Sequence, residues 1–215
     1  MYLSRVEVNP RLRACKLALN SPQRLHAMIA ASFPSLAAPE LEKRHLWRLD
    51  KFENALYALV LSPIKPDFTH LIEQIGWPAS GQSWETKDYD SFLDKISKGQ
   101  QWQFRLRANP TRSKINEDNL SQRGKIIPCL SIDEQKSWFK TRIVKHGATL
   151  HGFELVSREV SQFSRNGKTV TLNIATFEGI LTVSESALLK EALICGIGRA
   201  KAYGCGLLTL APVMK

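Results

Sequence analysis

The chain has little that would commit it to a metal, a membrane or a nucleotide. Its four cysteines, Cys15, Cys129, Cys195 and Cys205, include no CxxC pair. No histidine stands at metal-ligand spacing from them, so neither a disulfide framework nor a zinc site is indicated. No apolar run approaches the ~20 residues that a bilayer crossing needs. The opening MYLSRVEVNP alternates like a strand where a secretion signal would carry an apolar core. A cytoplasmic protein is therefore expected. Low-complexity tracts are missing too, and 43% hydrophobic with 23% charged residues is an ordinary folded composition. At 215 residues the chain is long enough for two cores.

Acidic residues are the other shortage. Twenty Asp and Glu stand against thirty Lys and Arg, a net charge of +10. Residues 1–90 are nearly balanced, with 11 cations and 10 anions, whereas Lys95 to Lys168 hold 15 cations and 6 anions. A folded segment with such an excess has the electrostatic footprint of a polyanion partner, because each neutralised phosphate releases condensed counterions. A basic face kept only for solubility is the plainer alternative.

The hydrophobic spacing predicts two copies of one unit. Residues 2–8 alternate with period two, as a half-buried strand does. Ser21-Pro22 then offers an N-cap and a first-turn proline, and Leu25, Met28, Ile29 and Phe33 form one stripe of a helix over 22–33, stopped by Pro34. Strands are expected at 46–50 and 55–61, a helix at 66–76 and a closing strand at 83–87. In the second half, a strand at 102–110, a helix at 133–147, two long strands ending near 160 and 183, a helix at 185–195 and a last strand at 206–213 repeat the order. The long strands flank Asn166-Gly167, the strongest short-range hairpin signal. The order β-α-β-β-α-β, twice, is an α+β fold of tandem ferredoxin-like (RRM-like) domains. The expected boundaries are a first domain at 1–88, a linker at 89–100 and a second domain at 101–215.

The stretch GIGRAKAYGCGLLTLAP, 196–212, puts four glycines within eleven residues. It is not a dinucleotide fingerprint, since it follows a helix and precedes a strand where that motif needs the reverse. It holds no Gly-Lys-Ser/Thr, so it is no P-loop either. A helix C-cap explains one glycine. Four of them interleaved with Arg199, Lys201 and Tyr203 suggest backbone N–H groups and cations brought against something anionic.

Together with this loop, the start M-Y-L-S-R-V, the strand F-R-L-R-A-N-P (104–110) and the strand F-E-G-I-L-T-V (177–183) resemble, in order and along the whole chain, the CasE family of CRISPR repeat-processing endoribonucleases of type I-E Cascade, within the RAMP superfamily. The resemblance implies a nuclease that grips the stem-loop of a CRISPR repeat RNA. It would cut at the 3′ base of the stem without metal or other cofactor, leave a 2′,3′-cyclic phosphate and a 5′-hydroxyl, and stay bound to the crRNA beside the other Cascade-type effector subunits. No membrane partner is implied.

Metal-free cleavage uses the adjacent 2′-OH as nucleophile and needs a proton carrier active near neutral pH and a cation for the phosphorane. His26, in the pattern x-x-L-H, matches the family's catalytic histidine, although a lone helical histidine is more often structural and four others exist. Family members often carry Tyr three residues earlier, where this chain has Gln23; on the same helix face Gln23 can hydrogen-bond into the site but supplies no phenol proton. Lys168, beside the hairpin turn, lies where family members also have Lys and is the candidate for phosphorane stabilisation. RNA contacts are expected from Arg24, Arg158, Arg165, Lys168, Arg199 and Lys201, and from Arg105, Arg107, Arg112 and Lys114 along one basic line. Arg105 and Arg107 point to the same sheet face, and without a counter-charge such a pair calls for phosphate. The five tryptophans read mostly as core. A subunit that caps an RNA hairpin without cutting it remains the alternative, and a nucleotide-binding metabolic enzyme is a weaker third.

Overall fold

The computed structural model describes residues 1–33, 45–79, 84–114 and 124–213; Pro34 and Ser83 lie outside them. The first half runs β1 (Tyr2–Val8), α1 (Arg13–Leu19), α2 (Pro22–Ala30), β2 (Leu46–Phe52), β3 (Ala55–Ser62), α3 (Thr69–Ile75) and β4 (Trp84–Asp88). Its antiparallel sheet has the order β2-β3-β1-β4. After α4 (Asp90–Leu93) the second half runs β5 (Gln101–Ala108), β6 (Thr111–Lys114), β7 (Lys125–Pro128), α5 (Ile132–Lys145), β8 (Ala148–Arg165), β9 (Lys168–Val183), α6 (Ser186–Cys195) and β10 (Leu208–Pro212). Its sheet order, β10-β5-β9-β8, repeats the first, with the fourth strand of the unit beside the first at one edge. The fold is thus the expected tandem ferredoxin-like one.

Four elements went unforeseen: α1, β6, β7 and the short α4. The helix α1 has no side-chain cap and turns only the small residues Cys15 and Ala18 inward, too faint a stripe to register. β6 and β7 pair with each other as a separate two-stranded ribbon between β5 and α5; four residues each, they are too short to show alternation. The stretch 89–100 is not bare chain, since Tyr89, Leu93 and Ile96 are buried in the core of the second sheet.

That core does not stop at the second half. Leu46 and Leu61, from β2 and β3, belong to the same cluster as Phe104, Phe139, Phe177 and Leu208. The seam between the halves also holds a buried ion pair. Arg48 and Asp50 of β2 are 2% and 1% exposed and joined at 2.7 Å. The Arg48 guanidinium donates to Asp50 through Nε (2.8 Å) and Nη2 (2.7 Å), to the carbonyls of Arg105 and Leu207 through Nη1 (both 2.9 Å), and to Thr209 Oγ1 (2.8 Å). All five of its N–H groups are used, three of them across the seam. Two independently folded halves would have no reason to bury a charge here; these are locked.

Beyond its sheet the β8–β9 ribbon runs on to the turn Asn166-Gly167, where both residues take positive φ (49° and 74°) as a tight hairpin requires.

Candidate active site

His26 sits on α2, whose start is fixed by Ser21, the acceptor of the Arg24 N–H, and by Pro22 in the first turn. Leu25 and Ile29 are buried in the first core and set the rotation of the helix. That rotation leaves His26 half-buried at the margin of the core. Its ring stacks on that of His45, just before β2, with centroids 4.9 Å apart and planes 28° from parallel. Phe33 also stacks on His45, at 5.0 Å. Three buried polar atoms here have no hydrogen-bond partner among the described residues: His26 Nδ1, His45 Nε2 and Gln23 Oε1. Burial lowers the His26 pKa, and the charge of Arg165 lowers it further. Burial, with a smaller contribution from His26, brings His45 down to about 4. Both rings are therefore neutral at neutral pH.

The other wall comes from the second half. β8 touches α2 at its end, and Arg165, its last residue, donates to Tyr203 Oη at 2.8 Å. Tyr203 lies in the 3-10 turn Lys201–Tyr203, also packed on α2, and its ring meets Phe163 at 4.7 Å. Lys168 pairs with Arg165 across the hairpin turn and is exposed; its side chain has no ion pair or hydrogen bond among the described residues. So the fold brings Arg165 into the electrostatic reach of His26, with Lys168 its neighbour across the hairpin turn, and adds His45 and Tyr203. Arg24 is on the same helix as His26, exposed.

Other expected contacts are occupied. Arg105 pairs with Glu178 at 3.0 Å and with Asp50 at 3.4 Å, and Arg107 with Glu159 as well as the Gly204 carbonyl at 3.0 Å. The argument that this strand lacks counter-charge, and so calls for phosphate, is corrected: neighbouring strands and the seam supply three carboxylates. Arg158, though exposed, is tied to α5 and the residues before it, donating to Gln135 Oε1 at 3.0 Å and to the Leu130 carbonyl. Arg112 pairs with Glu134 at 3.2 Å, while Lys114 and Lys125 oppose each other at the end of the β6–β7 ribbon, both exposed.

The glycine loop also differs from expectation. A Cβ on Gly204 would lie 2.7 Å from the Trp47 ring, and one on Gly196 2.8 Å from Leu46, both residues of β2. The N–H of Gly206 donates to Arg107 O and that of Ile197 to Gly206 O. The glycines serve close packing of the two halves, and these amides face protein instead of phosphate. Lys201 Nζ caps the carbonyl of Cys195 at 2.6 Å; Arg199 is exposed. None of the tryptophans Trp47, Trp77, Trp84, Trp102 and Trp138 is fully exposed. Among the described residues no helix is long and apolar enough to cross a membrane, and no group of three His, Cys, Asp or Glu could hold a metal ion.

The chain is similar in sequence and fold to known proteins. The family model for "CRISPR associated protein" matches residues 1–212. The chain is 28% identical to the CRISPR-associated endoribonuclease Cse3 of Thermus thermophilus over 226 aligned positions, 99% of this chain and all of that one. It is 35% identical to the CRISPR system Cascade subunit CasE of Escherichia coli over 115 residues, covering 51% of this chain and 57% of that protein. Among solved structures, Cse3 bound to a 19-nucleotide RNA superposes with a TM-score of 0.78 at 26% identity, over 99% of this chain and all of that one. Cas6e of E. coli superposes with 0.69 at 26% identity, again over 99% and 100%. A match along nearly the whole chain, to sequence and fold together, means that this protein belongs to the CasE family of CRISPR-associated proteins.

Proposed function

We propose that this protein is a metal-independent endoribonuclease that holds the stem-loop of a CRISPR repeat RNA, cuts at the 3′ base of the stem and remains on the crRNA as a Cascade subunit. The observation that carries the reading is the pairing of a neutral, half-buried His26 with the cationic hairpin tip of Arg165 and Lys168. Relatives named as an endoribonuclease, as an RNA-bound structure and as a Cascade subunit support it.

In this mechanism the scissile phosphate sits between α2 and the hairpin tip. His26, neutral at neutral pH, accepts the proton of the 2′-OH as that oxygen attacks the phosphorus in line with the departing 5′-oxygen. The charges of Lys168 and Arg165 stabilise the phosphorane. Tyr203 holds Arg165 in place. Bond making to O2′ and bond breaking to O5′, which takes up through solvent the proton that His26 has removed, leave a 2′,3′-cyclic phosphate and a 5′-hydroxyl. Gln23 orients groups by hydrogen bonding only. Because A-form stems hide their base edges in a deep groove, grip on the stem is mostly backbone and shape recognition.

The test is cleavage of a cognate repeat hairpin with EDTA present. A 2′-deoxy substitution at the scissile nucleotide blocks cutting and leaves binding intact, and His26→Ala lowers the rate by about 10²–10⁴-fold without loss of affinity. Cutting that survives the deoxy substitution, or that stops on chelation, refutes the mechanism. Tight hairpin binding with no cutting by the unmodified protein selects instead the non-cleaving RNA-capping subunit, the reading that a Gln at position 23 favours.

A further inference from the structure

His45 has no part in the mechanism above, yet its imidazole is the nearest ring to the proposed base. It stacks with two others, His26 at 4.9 Å and Phe33 at 5.0 Å, with planes 28° and 26° from parallel. Its Nε2 is buried without a partner among the described residues, and its contacts with both rings are face contacts. A histidine ring rotates over a broad torsional profile about its last bond. Face contact removes that freedom, and a base must be presented within hydrogen-bond reach of the proton it takes.

We propose that His45 is a positioning residue: the Phe33–His45–His26 stack aims the His26 imidazole at the 2′-OH of the scissile nucleotide and keeps water from one of its faces. This rests on His26 being the base. The aromatic wall comes from the end of the α2 segment and the start of β2, both in the first half, so the base is aligned before RNA arrives and before the hairpin tip of the second half contributes its cations. The charged and titratable groups on the surrounding elements are Arg24 on α2, Arg13 and Lys16 on α1, Arg48, Asp50 and Lys51 on β2, His70 and Glu73 on α3, Lys201 and Tyr203 in the 3-10 turn, and His151, Glu154, Arg158, Glu159 and Arg165 on β8. Of these, His70 is tied to the Met28 carbonyl at 3.0 Å, and Arg165 is the one whose field lowers the His26 pKa. Of the carboxylates, Asp50 is paired with Arg48 and Glu159 with Arg107.

Three variants separate a wall from a reacting group. His45→Phe keeps a flat ring, His45→Ala removes it, and His45→Gln refills the space without a ring should the alanine variant fail to fold. Histidine titration by NMR in the free protein needs no RNA: in His45→Ala water enters and the His26 midpoint moves up toward 6.5, whereas in His45→Phe it stays where it is. In single-turnover cleavage of a repeat hairpin, His45→Ala and His45→Gln cut about 10–100-fold more slowly, at unchanged hairpin affinity, and His45→Phe stays within about threefold of the parent, as expected when a misaimed base is the defect. The proposal is overturned if His45→Ala changes neither titration nor rate, or if His45→Phe is as slow as His45→Ala, which would make the imidazole itself the needed part. Should His26→Ala cut normally, the assignment of the base falls, while the NMR midpoint still decides the stack.

Discussion

Removing the carboxylate of Asp50 is the sharpest perturbation of this fold, because the charge it leaves behind has nowhere to go. Arg48 is 2% exposed and Asp50 1%, and the remaining acceptors of the guanidinium are two carbonyls and a hydroxyl, none of them charged. Breaking a buried pair in this way costs about 3–5 kcal/mol. At about 2–4 °C per kcal/mol for a chain of this size, Asp50→Ala lowers the melting temperature by about 6–20 °C. The partner Arg105, 3.4 Å from the same carboxylate, loses a contact too but keeps Glu178. Urea and thermal unfolding followed by circular dichroism measure the change. The double variant Arg48→Met/Asp50→Leu removes both charges and should recover much of the loss, since exchanging a buried pair for apolar groups is often close to neutral. His26 and the Arg165 tip lie on opposite sides of this seam, so Asp50→Ala also slows hairpin cleavage at temperatures where it is still folded. A destabilisation below about 1 kcal/mol would mean that Arg48 is solvated or can turn away, and would refute the locked seam.

Other outcomes follow from the same contacts. Gly204 has φ 75° and a Cβ position 2.7 Å from the Trp47 ring, so Gly204→Ala destabilises by about 2–3 kcal/mol through strain and overpacking together; a urea midpoint equal to that of the parent would contradict it. Arg158→Ala, which unties β8 from α5, costs about 1–3 kcal/mol of stability and leaves the salt slope of hairpin binding unchanged; a slope reduced by about one would restore Arg158 to the RNA contacts. Acid should weaken the fold through His45. Its folded pKa, about 4, lies below the unfolded 6.5, so the unfolded chain binds the extra proton between these values. Stability is then full above 6.5 and lost as pH falls toward 4. With part of the ring wet, the shift is worth about 1–2 kcal/mol after discounting for solvent screening. The difference in urea midpoint between pH 7.5 and pH 4.5 therefore shrinks in His45→Phe, and an unchanged difference counts against the burial of His45.

Periodicity made most of the fold readable, because the strands of each sheet bury one face and the Asn166-Gly167 turn admits few conformations. What it missed has physical causes. The ribbon of β6 and β7 is held by pairing between strands of four residues, and pairing leaves no trace in either strand alone. The charge argument on Arg105 and Arg107 failed for a related reason. It counted one strand, while Glu178, Glu159 and Asp50 arrive from β9, β8 and β2. A net positive segment can be locally neutral wherever tertiary contacts bring in anions, whereas Lys168 at the hairpin tip and Lys114 and Lys125 at the end of the small ribbon stay exposed.

The glycine loop shows how a motif can be recognised without its chemistry being read. Its spacing pointed to the superfamily, yet Gly196 and Gly204 are small because Leu46 and Trp47 press against them. Tyr203 and Arg165 reach α2 only because that packing draws the second half over the first. The loop thus acts on the site from a distance: it fixes the seam, the seam fixes the ribbon, and the ribbon sets a cation beside His26. His26 itself was legible through its resemblance to a family pattern, whereas His45, its stacking partner, stands in no pattern with it and became visible only once β2 was placed beside α2. A residue whose role is to hold another one still need share nothing with it in sequence, and the search for such residues has to begin from the ring faces that a catalytic side chain touches.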